Sequence, residues 1–322
     1  MLRVLTYHRI GNPADTPDLD PQLVSALPEV FEQQMEHLRR WYLPLELSEI
    51  IEAFKTGRPL PDRAVHVTVD DAYRDFAEIA WPVLKRLEIP VTVFVPTAFP
   101  GEEMSSFWWD RLHRSGIESE SNSWSQRLEG VEAVAKASNG RPGKAELRDL
   151  LRRLPPDLAE SIMDEACLEP TPAGEADAVA TRQAAVLSWD ELRELQADGV
   201  TFGAHTRHHV ALPFVDLASI RQEIRRSLED LTRELGEGPW SIAYPYGMCN
   251  ATVARVAEEE GCVLGFTCED GLNRPGMTDP LRLRRSNITL RTSPSVFAIR
   301  MLPWCARVDR WRHRHERILP AT

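Results

Sequence analysis

Residues 64–76 read AVHVTVDDAYRDF. Val65, Val67 and Val69 alternate with His66 and Thr68, the pattern of a β-branched strand. The run stops at two adjacent carboxylates, Asp70 and Asp71, and a helical pattern follows from Tyr73 to Leu87. Two like charges side by side are costly unless a cation lies between them or one of them takes up a proton. At the C-terminal end of a strand in an α/β fold, such a pair lies where ligands bind. The competing reading makes Asp70 or Asp71 the cap of the next helix.

Around this stretch the chain alternates strands and helices. Upstream, Leu2 to Tyr7 reads as a first buried strand ending at His8, followed by a Pro/Asp-rich loop from Asn12 to Pro28. A helix over Phe31 to Trp41 places Phe31, Met35, Leu38 and Trp41 on one face. A second helix opens at Leu47 with Ser48 as its cap. Downstream, Pro90 ends the helix and Val91 to Val95 forms the next strand, the strand–helix–strand order of a parallel sheet. Residues 105–186 break this rhythm with amphipathic helical segments and read as a helical insertion opening on Phe107-Trp108-Trp109-Asp110. The tryptophans line a cleft or glue the insertion to the main body. Alternation resumes at the capping-box pattern Ser188 to Glu191. Then come a strand at Val200 to Phe202, a long charged helix from Leu217 to Leu235 and a strand at Ser241 to Tyr244. A helix at Asn250 to Glu260, a strand at Val263 to Thr267 and a last strand opening at Leu281 complete the order. This gives a main domain over 1–303 and a basic, aromatic tail over 304–322.

At 322 residues the chain can bury a sizeable core. Apolar residues at 43% and charged residues at 27% fit a globular protein. The net charge of −11 argues against a nucleic-acid footprint. The five cysteines are scattered without a CxxC pair, against a disulfide framework or zinc knuckle. The N-terminal apolar run is too short for a signal peptide and no run is long enough to span a membrane, so the chain reads as cytoplasmic.

The strand ends collect Asp70-Asp71, His205 with His209, Tyr246 and His8. A carboxylate plus two histidines four residues apart is a common ligand set for a divalent metal with positions left for water. Histidines at that spacing share one face of a helical turn. His208 falls out of phase with them.

These residues resemble the polysaccharide deacetylase family, the NodB-like carbohydrate esterase family 4. Its TFDDG motif stands here as Thr68-Val69-Asp70-Asp71-Ala72, its H-[ST]-x-x-H motif as His205-Thr206-Arg207-His208-His209, and its R-x-P-[FY] motif as Ala243-Tyr244-Pro245-Tyr246. The TYHRI opening and LRLRRSNI (281–288) are similar to a branch found in bacterial exopolysaccharide gene clusters. The resemblance covers about residues 1–110 and 186–300. It implies a distorted (β/α)₇ barrel carrying the helical insertion. It also implies Asp70 as general base, Asp71, His205 and His209 as ligands of Zn²⁺ (Co²⁺ or Ni²⁺ as alternatives), and the backbone N–H of Tyr246 at the oxyanion. The chain departs from the family in three places. Ala243 replaces the motif arginine, with Arg284 or Arg285 as its substitute. The late Leu-x-His histidine has no match, and His8 takes its place as the acid. Val69 and Ala72 replace the usual Phe and Gly.

The expected activity is metal-dependent removal of N-acetyl groups from an N-acetylated sugar or polysaccharide. The expected partner is the carbohydrate substrate, with no nucleic acid. A deformylase or deacylase of a lipid- or nucleotide-linked aminosugar is the second enzymatic reading. An inactive carbohydrate-binding module on the same scaffold is the third.

Overall fold

The computed structural model describes residues 1–16, 19–101, 106–114, 144–155, 158–159, 161–163 and 186–302. The rest of the insertion and the 304–322 tail lie outside the described residues.

The strands are β1 (Leu2–Tyr7), β2 (Arg9–Ile10), β3 (Val24–Ala26), β4 (Leu43–Pro44), β5 (Ala64–Asp70), β6 (Val91–Val95), β7 (Thr201–Ala204), β8 (Ser241–Ala243), β9 (Leu264–Phe266) and β10 (Ser286–Asn287). Seven of them run side by side in the order β10-β1-β5-β6-β7-β8-β9, each neighbour parallel. A parallel bridge between Phe266 and Leu283 brings β9 round to the segment that leads into β10. The sheet thus curls into the distorted seven-stranded barrel. The little β4 covers the start of β5, and β2 pairs with β3 off the barrel.

Strand parity decides what the barrel contains. Val65, Val67, Val69, Val91, Val93 and Val95 point outward into the main core beneath the helices. The alternate residues point inward. The apolar ones are Leu2, Val4, Phe94, Ala243, Phe266 and Leu283, packed with Leu47, Ile50 and Ala53. Along β5 they are polar: Thr68 Oγ1 donates to Leu5 O, and His66, level with Val4, is held between Leu45 O (2.8 Å) and Thr92 Oγ1 (2.9 Å). Burial pushes the His66 imidazole down to about 4, so it is neutral in the fold. Gly203 is required here because a Cβ would lie 2.6 Å from the Phe94 ring and 2.8 Å from Ser241 O.

The helices are α1 (Pro28–Trp41), α2 (Leu47–Thr56), α3 (Trp81–Arg86), α4 (Trp108–Arg114), α5 (Lys144–Arg153), α6 (Trp189–Ala197), α7 (Leu217–Leu235), α8 (Ala251–Glu259) and α9 (Pro294–Arg300). Four local expectations need correction. Trp41 leaves the apolar face of α1 and is 48% exposed. The cap of α2 is Glu46, in a reciprocal box with Glu49, rather than Ser48. The helix expected from Tyr73 begins as a π turn over Phe76–Ala80, with Trp81 N bonded to Phe76 O. Pro82, which has no N–H to give, follows at once and restarts a normal helix. Pro280–Arg282 is a 3₁₀ turn and the last strand starts only at Ser286. The capping box at Ser188 and the bounds of α7 agree with the sequence. Among the described residues no helix is long and apolar enough to cross a membrane.

Candidate active site

The barrel register sets the first wall. Tyr7 pairs with Val69, so His8 and Asp70 leave their strands level with one another, and His8 Nε2 lies 4.0 Å from Asp70 Oδ2. Asp70 ends β5 and Asp71 turns out of it with φ 73°, a left-handed conformation unusual outside glycine. His205 follows β7 directly, its N–H bonded to Val95 O. His209 reaches the same point from an irregular loop, with Thr206 at φ 63° and His209 at φ 57°, rather than from the helical turn its spacing suggests. Two positive-φ residues fold the loop back, which is how histidines four apart converge without a helix.

Asp71, His205 and His209 each offer one donor atom within 4.8 Å of the others, and all three are buried. Asp71 Oδ1 is buried without a hydrogen-bond partner, and the Nε2 atoms of His205 and His209 stand off from it at 3.4 and 3.3 Å. His205 Nδ1 donates to Ala243 O at 2.7 Å, leaving the Nε2 lone pair free to face Asp71. An orphaned carboxylate oxygen between two imidazole nitrogens fits a divalent cation of nitrogen/oxygen preference. Burial alone would raise the Asp71 carboxyl, but His205 and His209 outweigh it and hold it well below the usual range. Burial lowers His209 and its neighbours do not reverse this. In His205 the two aspartates overcome burial and raise it.

Asp70 has a different partner. Arg285 spans both its oxygens, Nη1 to Oδ1 at 2.7 Å and Nη2 to Oδ2 at 2.8 Å. Arg285 is itself fully buried and donates further to Thr267 O and Thr68 Oγ1. Burial raises the Asp70 carboxyl, but Arg285, then His205 and His8, bring it below its ordinary value. Of the two arginines read from the sequence, Arg285 is therefore the one that pairs with Asp70. Arg284 lies elsewhere: its side chain runs along Gly271 and its backbone bonds Asn273. The signal was strand parity, since Leu283 faces the barrel interior and Arg285, two residues on, shares that face.

The opposite wall is aromatic. Tyr246 sits at φ 57°, its ring 4.8 Å from that of His209. Trp109 packs 4.9 Å from His209, and Trp108 Nε1 donates to Tyr246 Oη at 3.2 Å. Trp108 and Trp109 thus stand at the cleft as well as joining the insertion to the barrel. Burial pushes the Tyr246 phenol far above its ordinary value, so it stays protonated.

Two contributions were not read from the sequence. Glu223 of α7 accepts the N–H groups of Arg207 and His208 and bonds His208 Nδ1 at 2.7 Å, fixing the loop between the two metal-facing histidines. Its only sequence sign is an acidic residue on the buried face of a charged helix. The second is Arg152 of α5, whose guanidinium lies 4.8 Å over the Tyr246 ring.

The C-terminal ends of the barrel strands thus bring together a carboxylate–bis-histidine cluster that could hold a metal ion and a second, arginine-clamped carboxylate. The polysaccharide deacetylase profile matches residues 57–138 and 173–264, and the chain belongs to that family. The poly-beta-1,6-N-acetyl-D-glucosamine N-deacetylase of Escherichia coli K12 is 21% identical over 297 residues, covering 91% of this chain. This chain spans 37% of that relative's length. Among solved structures, the Streptococcus pyogenes deacetylase PplD in complex with acetate aligns with a TM-score of 0.61 at 21% identity, covering 94% of this chain and 98% of the other. IcaB from Ammonifex degensii aligns at 0.58 and 20%, covering 94% and 97%. These likenesses show the fold.

Proposed function

We propose that the protein is a metal-dependent de-N-acetylase of an N-acetylated aminosugar. One observation carries the reading: an orphaned Asp71 oxygen between two histidine nitrogens, beside an Asp70 held ionised by a buried arginine. Family membership and the substrate named for the Escherichia coli relative point the same way.

Asp71, His205 and His209 would hold the ion, with Zn²⁺ favoured by the donor set and Co²⁺ or Ni²⁺ able to replace it. Bound there, a divalent ion lowers the pKa of water and polarises an amide carbonyl. Asp70 keeps its charge through Arg285 and accepts the proton of the attacking water. The arginine also fixes the direction of the carboxylate, so no rotamer search precedes the transfer. His8, level with Asp70 and partly exposed, delivers a proton to the departing amine, which is a poor leaving group unprotonated. The backbone N–H of Tyr246 is assigned to the developing oxyanion.

The test is acetate release from N-acetylglucosamine and its oligomers by metal-loaded protein, together with metal content. Asp70→Asn should keep one ion per chain and lose turnover by about 10²-fold or more. Near-normal turnover in that variant, or an ion bound away from the triad, refutes the assignment.

A further inference from the structure

The inserted helix α5 crosses the barrel mouth. Arg148 donates to Asp20 and, at 3.0 Å, to Gln22, both on the turn that follows β2 on the His8 side. One helical turn later Arg152 lies over Tyr246, which follows β8. In the order β10-β1-β5-β6-β7-β8-β9, the β1 and β8 ends lie on opposite sides of the closed ring. Residues four apart on one helix thus fasten it to two facing rims.

This span is fixed. Trp108 is bonded to Tyr246, Trp109 Nε1 donates to Tyr73 Oη at 2.9 Å, and Tyr73 Oη donates to the buried Asp110 at 3.0 Å. Leu147 and Leu151 pack with Leu112, Ala159, Ile162 and Met163 in a separate small core that rests on Trp108. Beneath the helix, Leu151, Arg152 and Leu154 line a cavity together with His209 and Tyr246, so α5 forms one wall of the site. The triad shows the result: Asp71, His205 and His209 are 1%, 1% and 8% exposed. Among the described residues, access is left on the β9–β10 side, where His8, Cys268 and Arg284 are partly exposed and Glu269 is exposed.

A polymer held by an internal sugar, with its glycosidic bonds intact, must leave the site in two directions. Here one direction is walled. We infer that α5, tied down by Arg148 and Arg152, makes this an end-acting enzyme: it takes the N-acylated aminosugar at the terminus of a glycan or glycoconjugate, and the rest of the molecule leaves over the β9–β10 rim. The inference rests on the deacetylase reading and adds the position of the sugar attacked.

The experiment uses full-length, Zn²⁺-loaded protein with β-1,4- and β-1,6-linked N-acetylglucosamine pentamers carrying an isotopic label at the reducing end. Tandem mass spectrometry of the mono-deacetylated product locates the freed amine. The expected product has it at one terminal sugar, at least tenfold over any internal position. The Arg148→Ala/Arg152→Ala double variant should shift the product toward internal positions, with Arg148→Ala alone as a milder second case. Internal deacetylation by the wild type, or an unchanged product pattern in the folded double variant, overturns the end-acting inference alone. Absence of acetate release from the pentamers and from N-acetylglucosamine itself overturns the deacetylase reading and this inference with it.

Discussion

The two walls of the site are built by different means. The carboxylate wall belongs to the barrel. Asp70, Thr68 and His66 alternate inward along β5, and Arg285 joins them from the segment before β10. Each is placed by strand parity and tied by hydrogen bonds to its neighbours. The aromatic wall is mostly imported. Trp108, Trp109 and Arg152 come from the insertion and meet His209 and Tyr246 by packing. The chemistry is thus set by the barrel, while access is set by a segment outside its repeat. Evolution can change one wall without rebuilding the other.

The sharpest way to break the comparison is Arg285→Ala. It leaves the Asp70 carboxylate buried and unpaired, which costs about 3–5 kcal/mol in unfolding free energy. Turnover should fall by at least about 10²-fold. Arg284→Ala should stay within about 0.5 kcal/mol, as a surface change does. Denaturant unfolding and acetate release on both variants decide it, and equal losses would erase the distinction between the two arginines.

The lower part of the carboxylate wall gives a pH test. His66 titrates at about 4 in the fold, against an ordinary value near 6.5. Between those values the unfolded chain binds the proton and the fold does not. This contribution is therefore present above pH 6.5 and lost as pH falls from 6.5 to 4, by roughly 3 kcal/mol in all. Wild type compared with His66→Gln across that window should show a shallower decline in the variant; parallel curves would show that His66 is not the group responsible.

His8→Ala should retain the metal and lower turnover by about 10²-fold, equivalent to about 2.7 kcal/mol in the barrier. A full rate would move the acid to another group. On the aromatic wall, Trp108→Phe keeps the ring and removes one hydrogen bond worth about 1 kcal/mol, so kcat/KM should change by no more than about fivefold. A loss comparable to that of His8→Ala would make the imported wall part of the chemistry.

The sequence was most readable where chemistry is local. Asp70-Asp71 and His205 with His209 stand in short, spaced motifs, and the β-branched run placed the first pair on a strand. The half-read features depended on register. Arg284 and Arg285 are indistinguishable as residue types, and only the inward face of Leu283 separates them. The unread features depended on distance along the chain. Nothing near Arg152 or Arg148 announces Tyr246 or Asp20, because those contacts exist only once the barrel is closed. Local reading also failed where backbone geometry overrides propensity, as in the positive-φ loop carrying His209 and the π turn forced ahead of Pro82.

Asp71, His209 and Tyr246 all hold left-handed backbone conformations that glycine would adopt at less cost. A directed-evolution campaign scored only on heat resistance would find this. It should enrich glycine at 71 and 209, gaining on the order of 1 kcal/mol per position, and deliver robust catalysts of nothing. For this scaffold, thermal screening has to be coupled to a selection for turnover from its first round.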